Sequence, residues 1–191
     1  MKGKRRERER KPAAGQGGEM LASARVARAF NEQIGNEMGA SLQYLSIAAY
    51  FANQSLGELA KFFYQQSQEE REHAMKFVRF LVDVNARVEI PPVPAPRYEF
   101  TSAIEAAKAS LEWEKVVTDQ IYHLVDIVRE EANYIALRFL DWFVNEQLEE
   151  VTTMQSLVDL VSRAGESGLL YVEDYLARRG GVTAANPIGS E

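Results

Sequence analysis

Apolar residues return every three or four positions along four long stretches of this chain, which is the period of helices that each turn one face to a core. The first stripe runs Val26, Phe30, Glu37, Tyr44, Ala48, Phe51. The second runs Leu59, Phe63, Glu70, His73, Phe77, Leu81. The third runs Ile104, Leu111, Glu114, Ile121, Val125, and the fourth Leu140, Phe143, Gln147, Glu150, Met154, Leu157. The pattern predicts helices over about Ala22–Asn53, from a Ser55/Glu58 capping box to about Asn85, from a Ser102/Glu105 capping box to about Glu131, and over about Tyr134–Ala164, with Gly165 as a stop. A short fifth helix is predicted over Leu169–Arg179, ending at Gly180-Gly181. The segment RVEIPPVPAPRYEF, Arg87–Phe100, holds four prolines and reads as an extended crossover. No β-hairpin signal competes. Helices of this length are roughly 45 Å long. Short first and last connections make antiparallel pairs, and the long crossover joins the pairs. The fold expected is all-α, a four-helix bundle with one long crossover and a short fifth helix.

Each stripe carries a polar break near its middle, and the breaks are evenly spaced. Glu37 and Glu70 are 33 residues apart, as are Glu114 and Gln147. Three residues beyond the second member comes His73 in one half and Glu150 in the other. The chain therefore reads as two related helical hairpins whose mid-helix positions meet at one level. Four carboxylates gathered in a dry interior repel one another and are costly unless their charge is neutralised. Two divalent cations would do so, and carboxylates with imidazole suit iron, manganese or zinc. A lone core glutamate is ordinarily paired with an arginine, and a lone core histidine is ordinarily satisfied by hydrogen bonds; the matched set points to a metal site. Tyr44, seven residues after Glu37 on the same face, is either a core tyrosine or a hydrogen-bonding or redox neighbour of the metals. Glu69, Glu146 and Glu149 each adjoin a stripe residue and read as a solvated face or as a third, more labile cation site leading outwards. His123 lies nine residues after Glu114, about 180° round the helix, and is assigned no role.

Composition narrows the setting. With 191 residues, 46% of them hydrophobic, the chain suits one domain with a substantial core. The absence of cysteine excludes a disulfide framework and any thiolate metal site. No apolar run approaches the roughly 20 residues needed to span a bilayer, and the charged N-terminus lacks the apolar segment of a secretory signal, so a cytoplasmic protein without membrane contact is expected. Residues 1–20 hold seven Lys/Arg against three Glu, while the rest hold 15 basic against 25 acidic residues. This reads as a disordered basic N-terminal arm over 1–20 on an acidic bundle over 21–165, then the fifth helix within 166–180 and a flexible tail over 181–191. Met20 is an alternative start. The arm reads first as a solvated extension, with a phosphate- or nucleic-acid-docking tail as the other reading.

Asn36-Glu37 in the first helix, EEREH (Glu69–His73) in the second, Trp113-Glu114-Lys115 in the third and NEQLEE (Asn145–Glu150) in the fourth resemble the motifs of non-haem bacterial ferritins, especially the actinobacterial type. Ferritin-like di-iron proteins are the standing example of such a Glu and Glu-x-x-His bundle. The likeness spans about residues 22–180. It implies a homo-oligomeric cage of 24 subunits that oxidises Fe²⁺ with O₂ or H₂O₂ at each bundle centre and stores ferric mineral inside. It also implies that Glu37, Glu70 and His73 hold one iron and Glu70, Glu114 and Glu150 the other, with Gln147 and Tyr44 close by. Glu69, Glu146 and Glu149 would join Glu150 at a third site. The sequence departs from bacterioferritins at Gln147-Leu148-Glu149-Glu150, where they carry Glu-x-x-His, which favours transient iron over a permanent cofactor. Arg71 stands where they place a haem-binding methionine, so no haem is expected. Leu137 and Leu140 stand where many ferritins carry acidic residues lining a three-fold channel, which leaves the iron entry route open. The C-terminal NPIGSE has a faint likeness to encapsulin cargo peptides and is read as tail. The rival readings are a di-iron oxidase of another kind and a ferritin-like cage whose arm also binds DNA.

Overall fold

The computed structural model describes residues 20–180 and 182; the basic arm over 1–19 and the NPIGSE tail lie outside the described residues. Four long helices, α1 (Ala24–Asn53), α2 (Gly57–Asp83), α3 (Ala103–Glu130) and α4 (Tyr134–Ala164), are followed by a single 3₁₀ turn (Glu166–Gly168) and α5 (Leu169–Arg179). No helix among the described residues is long and apolar enough to cross a membrane. α1 pairs with α2 and α3 with α4, α1 also approaches α3 closely, and α5 packs across α2 and α4. α2 and α4 meet instead through rings: Phe77 lies 4.4 Å from Phe143 and 5.2 Å from Phe139, centroid to centroid. Large aromatics on two facing helices hold their axes apart, which leaves room in the bundle centre.

The helix starts follow the expected chemistry in three cases and depart from it in one. Ser23 accepts from the Val26 amide at 3.1 Å, Ser102 from the Glu105 amide at 3.2 Å, and Asn133 from the Ala136 amide at 3.0 Å. Glu105 reaches back one residue further than a capping box requires and accepts from the Thr101 amide at 2.7 Å. Ser55 makes no cap: it sits at φ 60°, and α2 begins at Gly57 without a side-chain cap of its own. Ser55 is instead the left-handed residue closing α1, where the Leu56 amide reaches back to the Phe51 carbonyl at 3.0 Å. The same reversal recurs at Asn85 (φ 58°), with Ala86 bonded to Leu81, and at Ala132 (φ 50°), with Asn133 bonded to Val128. The free amides at the start of α2 are taken up by α5, whose Glu173 carboxylate accepts from Glu58 at 2.8 Å and Leu59 at 2.9 Å. An acidic side chain there also complements the helix dipole.

The core is two apolar clusters with a polar layer between them. One gathers Phe30, Ile34, Phe77, Leu81, Ile121, Leu140 and Phe143; the other gathers Tyr44, Phe51, Phe63, Leu111, Met154 and Leu157 with Leu169, Val172 and Leu176 of α5. Of the predicted stripe residues, Ile104 and Val125 are half-buried and the rest are buried. In α3 the inward positions near the end fall on Leu124 and Val128.

The proline-rich crossover is bound to α1 by buried amides. Asn31 donates to the Arg87 carbonyl at 3.0 Å and accepts from the Glu89 amide at 2.6 Å; Gln43 donates to the Arg97 carbonyl at 3.0 Å and accepts from its amide at 2.9 Å. Between these clamps the chain runs so close to α1 that a Cβ on Gly35 would lie 2.4 Å from Pro91 Cγ, whereas one on Gly39 would meet Trp113 at an ordinary 3.6 Å. Gly35→Ala is therefore expected to destabilise the protein by about 1–3 kcal/mol, despite its better helix propensity, by pushing the crossover off α1. Gly39→Ala is expected to be neutral or to stabilise by up to about 1 kcal/mol. Paired denaturant melts test this, and equal destabilisation by both substitutions would refute it.

Candidate metal centre

The polar layer is supplied by all four long helices. Glu37 comes from α1, Glu70 and His73 from α2, Glu114 from α3, and Gln147 and Glu150 from α4; each is no more than 5% exposed. An i, i+3 step on α2 brings Glu70 Oε2 to 3.2 Å from His73 Nδ1. Candidate donor atoms of Glu37, Glu70 and His73 lie within 4.8 Å of one another, and so do those of His73, Glu146 and Glu150. Glu114 belongs to neither group. One of its oxygens accepts from the Tyr44 hydroxyl, and the other, like Glu37 Oε2, is buried without a hydrogen-bond partner. Gln147 accepts from the Thr118 hydroxyl at 2.8 Å.

Electrostatics mark the layer as strained when it carries only its own charge. Burial raises the carboxyls of Glu37, Glu70, Glu114 and Glu150 above the usual range, and Glu114 reaches about 7. For Glu70 the neighbouring charges of Glu114, Glu37 and Glu150 add to the effect. Burial alone would lower His73, but the bond to Glu146 and the charges of Glu37 and Glu150 outweigh it and raise the imidazole. Burial and the Glu114 carboxylate raise the Tyr44 hydroxyl. Among the described residues no arginine or lysine enters the layer, so the usual partner of a core carboxylate is missing. Buried carboxylate oxygens without partners are what a divalent cation satisfies, and an all-oxygen set with one imidazole suits iron.

The outer acidic residues are arranged unevenly. Glu146 is half-buried, with an oxygen 3.6 Å from His73 Nε2. Glu69 is exposed and accepts from Gln66 Nε2. Partial desolvation raises its carboxyl; His73 opposes this, and Glu146 and Glu149 add to it, so the three glutamates share one neighbourhood. Glu149 is exposed. His123 points to solvent. Three further side chains touch the layer and were not singled out from sequence. Gln33 donates to Glu37 Oε1 at 2.9 Å, Thr118 holds Gln147, and Trp142 packs its ring edge-on against His73 at 5.3 Å. Gln33 stands four residues before Glu37 and Thr118 four after Glu114, so helical neighbourhood to a candidate ligand was the available signal.

A family profile for the ferritin-like domain matches residues 27–164. The chain belongs to the ferritin family. This ferritin is 44% identical over 154 residues to Ferritin BfrB of Mycobacterium tuberculosis, across 81% of this chain and 84% of that one. It is 41% identical over 156 residues to Ferritin BfrB of Mycolicibacterium smegmatis, across 82% of this chain and 86% of that one. Among solved structures it is similar to an open pore ferritin from the hyperthermophilic archaeon Archaeoglobus fulgidus, at 32% identity and a TM-score of 0.80, over 83% of this chain and 98% of that one. One sequence reading is corrected within the family frame. Leu140 lies seven residues before Gln147, on the same inward stripe, and is fully buried in the subunit's own core; Leu137 is half-buried against the same cluster. Leu140 is thus unavailable to line a channel between subunits.

The raised groups set a pH dependence. Their protons are held more tightly in the folded chain than in the unfolded one, so folding takes up protons above the ordinary carboxyl range, for Glu114 up to about pH 7. Metal-free protein should therefore lose stability as pH rises from 5 to 8. Glu105, held down at about 2 by Thr101 and Arg97, acts only below this window. Glu114 alone, raised from 4.5 to about 7, corresponds to about 3 kcal/mol, or roughly 6–12 °C in Tm. Calorimetry of chelator-treated protein should show Tm falling over this range and a divalent cation restoring most of the loss at pH 8; a flat profile would contradict the account.

Proposed function

We propose that this ferritin stores iron, oxidising Fe²⁺ to Fe³⁺ at the centre of each subunit and holding ferric mineral inside a 24-subunit homo-oligomeric cage in the cytoplasm. The observation that carries the reading is the buried layer itself: four carboxylates and one imidazole at one level of the bundle, with two carboxylate oxygens lacking a hydrogen-bond partner among the described residues. Glu37, Glu70 and His73 form the better-assembled half and would hold one ferrous ion. Glu70, Glu114 and Glu150 would hold the second, which draws Glu114 and Glu150 inwards. Gln147, a neutral amide, sits beside that second ion. The centre has fewer nitrogen ligands than a bundle with two Glu-x-x-His pairs, which favours passage of iron over retention.

Iron is the substrate here. Two Fe²⁺ each give up one electron to a single two-electron acceptor: O₂ with two protons yields H₂O₂, and H₂O₂ with two protons yields two waters. The protein's part is to place the two ions together and to neutralise their charge with carboxylates. Tyr44, bonded to Glu114 and raised in pKa, stays protonated at neutral pH and orients that carboxylate. Glu69, Glu146 and Glu149, with Glu150, form an outer site from which ions exchange with the centre. The reading includes no haem, because Arg71 stands where the resemblance to bacterioferritins would require a methionine.

Loading the full chain with Fe²⁺ in air and measuring iron across the size-exclusion profile tests the reading. The wild type should elute as a large assembly carrying far more than two irons per subunit. Glu70→Ala should assemble normally but oxidise Fe²⁺ at least about tenfold more slowly. An iron content that saturates at two per subunit would favour a di-iron oxidase instead.

A further inference from the structure

A cleft of about 440 Å³ opens on the opposite side of the subunit from His73, between α1 and α3. Its polar lining is Glu32, Gln33, Asn36, Asp119, Gln120 and His123, and no lysine or arginine lines it among the described residues. The floor is Gln33, only 2% exposed. Its Nε2 donates to Glu37 Oε1 at 2.9 Å and lies 3.5 Å from Gln120 Oε1, while Asn36 Nδ2 donates to its Oε1 at 3.0 Å. One side chain therefore separates the cleft from the candidate ligands, and two amides and the Glu37 carboxylate hold that side chain in place. The α2–α4 face is less open: Trp142 and Phe143 pack on the His73 ring, and the Lys76 ammonium sits 3.9 Å over Trp142.

We propose that the α1–α3 cleft is a route by which divalent cations reach Glu37, and that Gln33 is a positioning residue which closes its floor and fixes the Glu37 carboxylate. The chemistry of the floor fits both parts. A neutral carboxamide can hold a carboxylate by a hydrogen bond without cancelling the charge that binds the cation, as a lysine or arginine would. Rotation of the same amide turns its carbonyl oxygen towards an arriving ion, and the acidic rim at Glu32 and Asp119 raises the local cation concentration. The proposal rests on the reading of the centre as an iron-binding site.

Two substitutions at residues that are not candidate ligands test the route in the assembled full-length protein, with Co²⁺ as the probe. Val116→Trp places an indole in the cleft mouth, where Val116 is exposed. Asp119→Lys reverses one rim charge. In stopped-flow absorbance, each assembled variant should acquire Co²⁺ about tenfold more slowly than wild type, with the charge variant's deficit shrinking at high salt. The final number of ions bound should be unchanged. Wild-type rates in either assembled variant would overturn the route; if Val116→Trp fails to assemble, Asp119→Lys decides it. Gln33→Met, similar in length but without the amide, tests positioning: Co²⁺ should bind about tenfold more weakly and its visible absorption bands should shift. Unchanged affinity and spectrum would overturn that role. A wild-type protein that binds no Co²⁺ at the centre would sink the metal reading itself, a different result from normal binding at an unaltered rate in the variants.

Discussion

The constraint on which the rest depends is the burial of like charges. Glu37, Glu70, Glu114 and Glu150 are held in a layer between two apolar clusters, out of water and, among the described residues, without an arginine or lysine partner. Such a layer works against folding, because each ionised carboxylate loses hydration and repels the others. The protein tolerates it because the two clusters, built largely of Ala, Leu, Phe and Val, hold the four helices in register from both sides. A divalent ion bound there would convert the same layer from a source of instability into a set of ligands. Structure and chemistry would then be coupled: the groups that destabilise the metal-free bundle would be those that give the centre its affinity.

The architecture around the layer keeps it accessible yet ordered. Aromatic rings between α2 and α4 set the width of the bundle, and the same rings pack on His73 and limit its orientations. Neutral amides and hydroxyls do the remaining positioning: Gln33 on Glu37, Tyr44 on Glu114, Thr118 on Gln147. None of these adds positive charge, so the layer keeps its demand for cations. At the ends, the short α5 contributes beyond its own apolar face, since Glu173 covers the start of α2, and Glu166 of the preceding 3₁₀ turn accepts from the Ala103 amide at the start of α3.

Membership of the ferritin family and the geometry of the layer support each other without being the same argument. The family comparisons speak for the fold over most of the chain. The burial, the unpartnered oxygens and the raised carboxyls speak for cation binding at one level of that fold. The two-sided surroundings of the centre, with a polar cleft on one side and a tryptophan-covered histidine on the other, are features of this chain's own side chains.

The four helices, the crossover and the inward glutamates were legible in the sequence because helical periodicity is local: an apolar stripe with a polar break near its middle shows itself in one dimension. The matched spacing of Glu37, Glu70, Glu114 and Gln147 was legible because antiparallel helices of equal length bring their midpoints together. Other features depend on contacts between residues far apart in the chain, which periodicity does not report. Ser55 carries the residue type of a helix cap, yet its left-handed backbone makes it the close of the preceding helix, and the cap comes from Glu173, 115 residues from Glu58. Leu140 matches a channel position by alignment of motifs, yet its place on the stripe buries it in its own subunit. The pairing of Glu150 with His73 and Glu146, the isolation of Glu114 on Tyr44, and the hold of Gln33 on Glu37 were decided only when side chains from separate helices met in three dimensions.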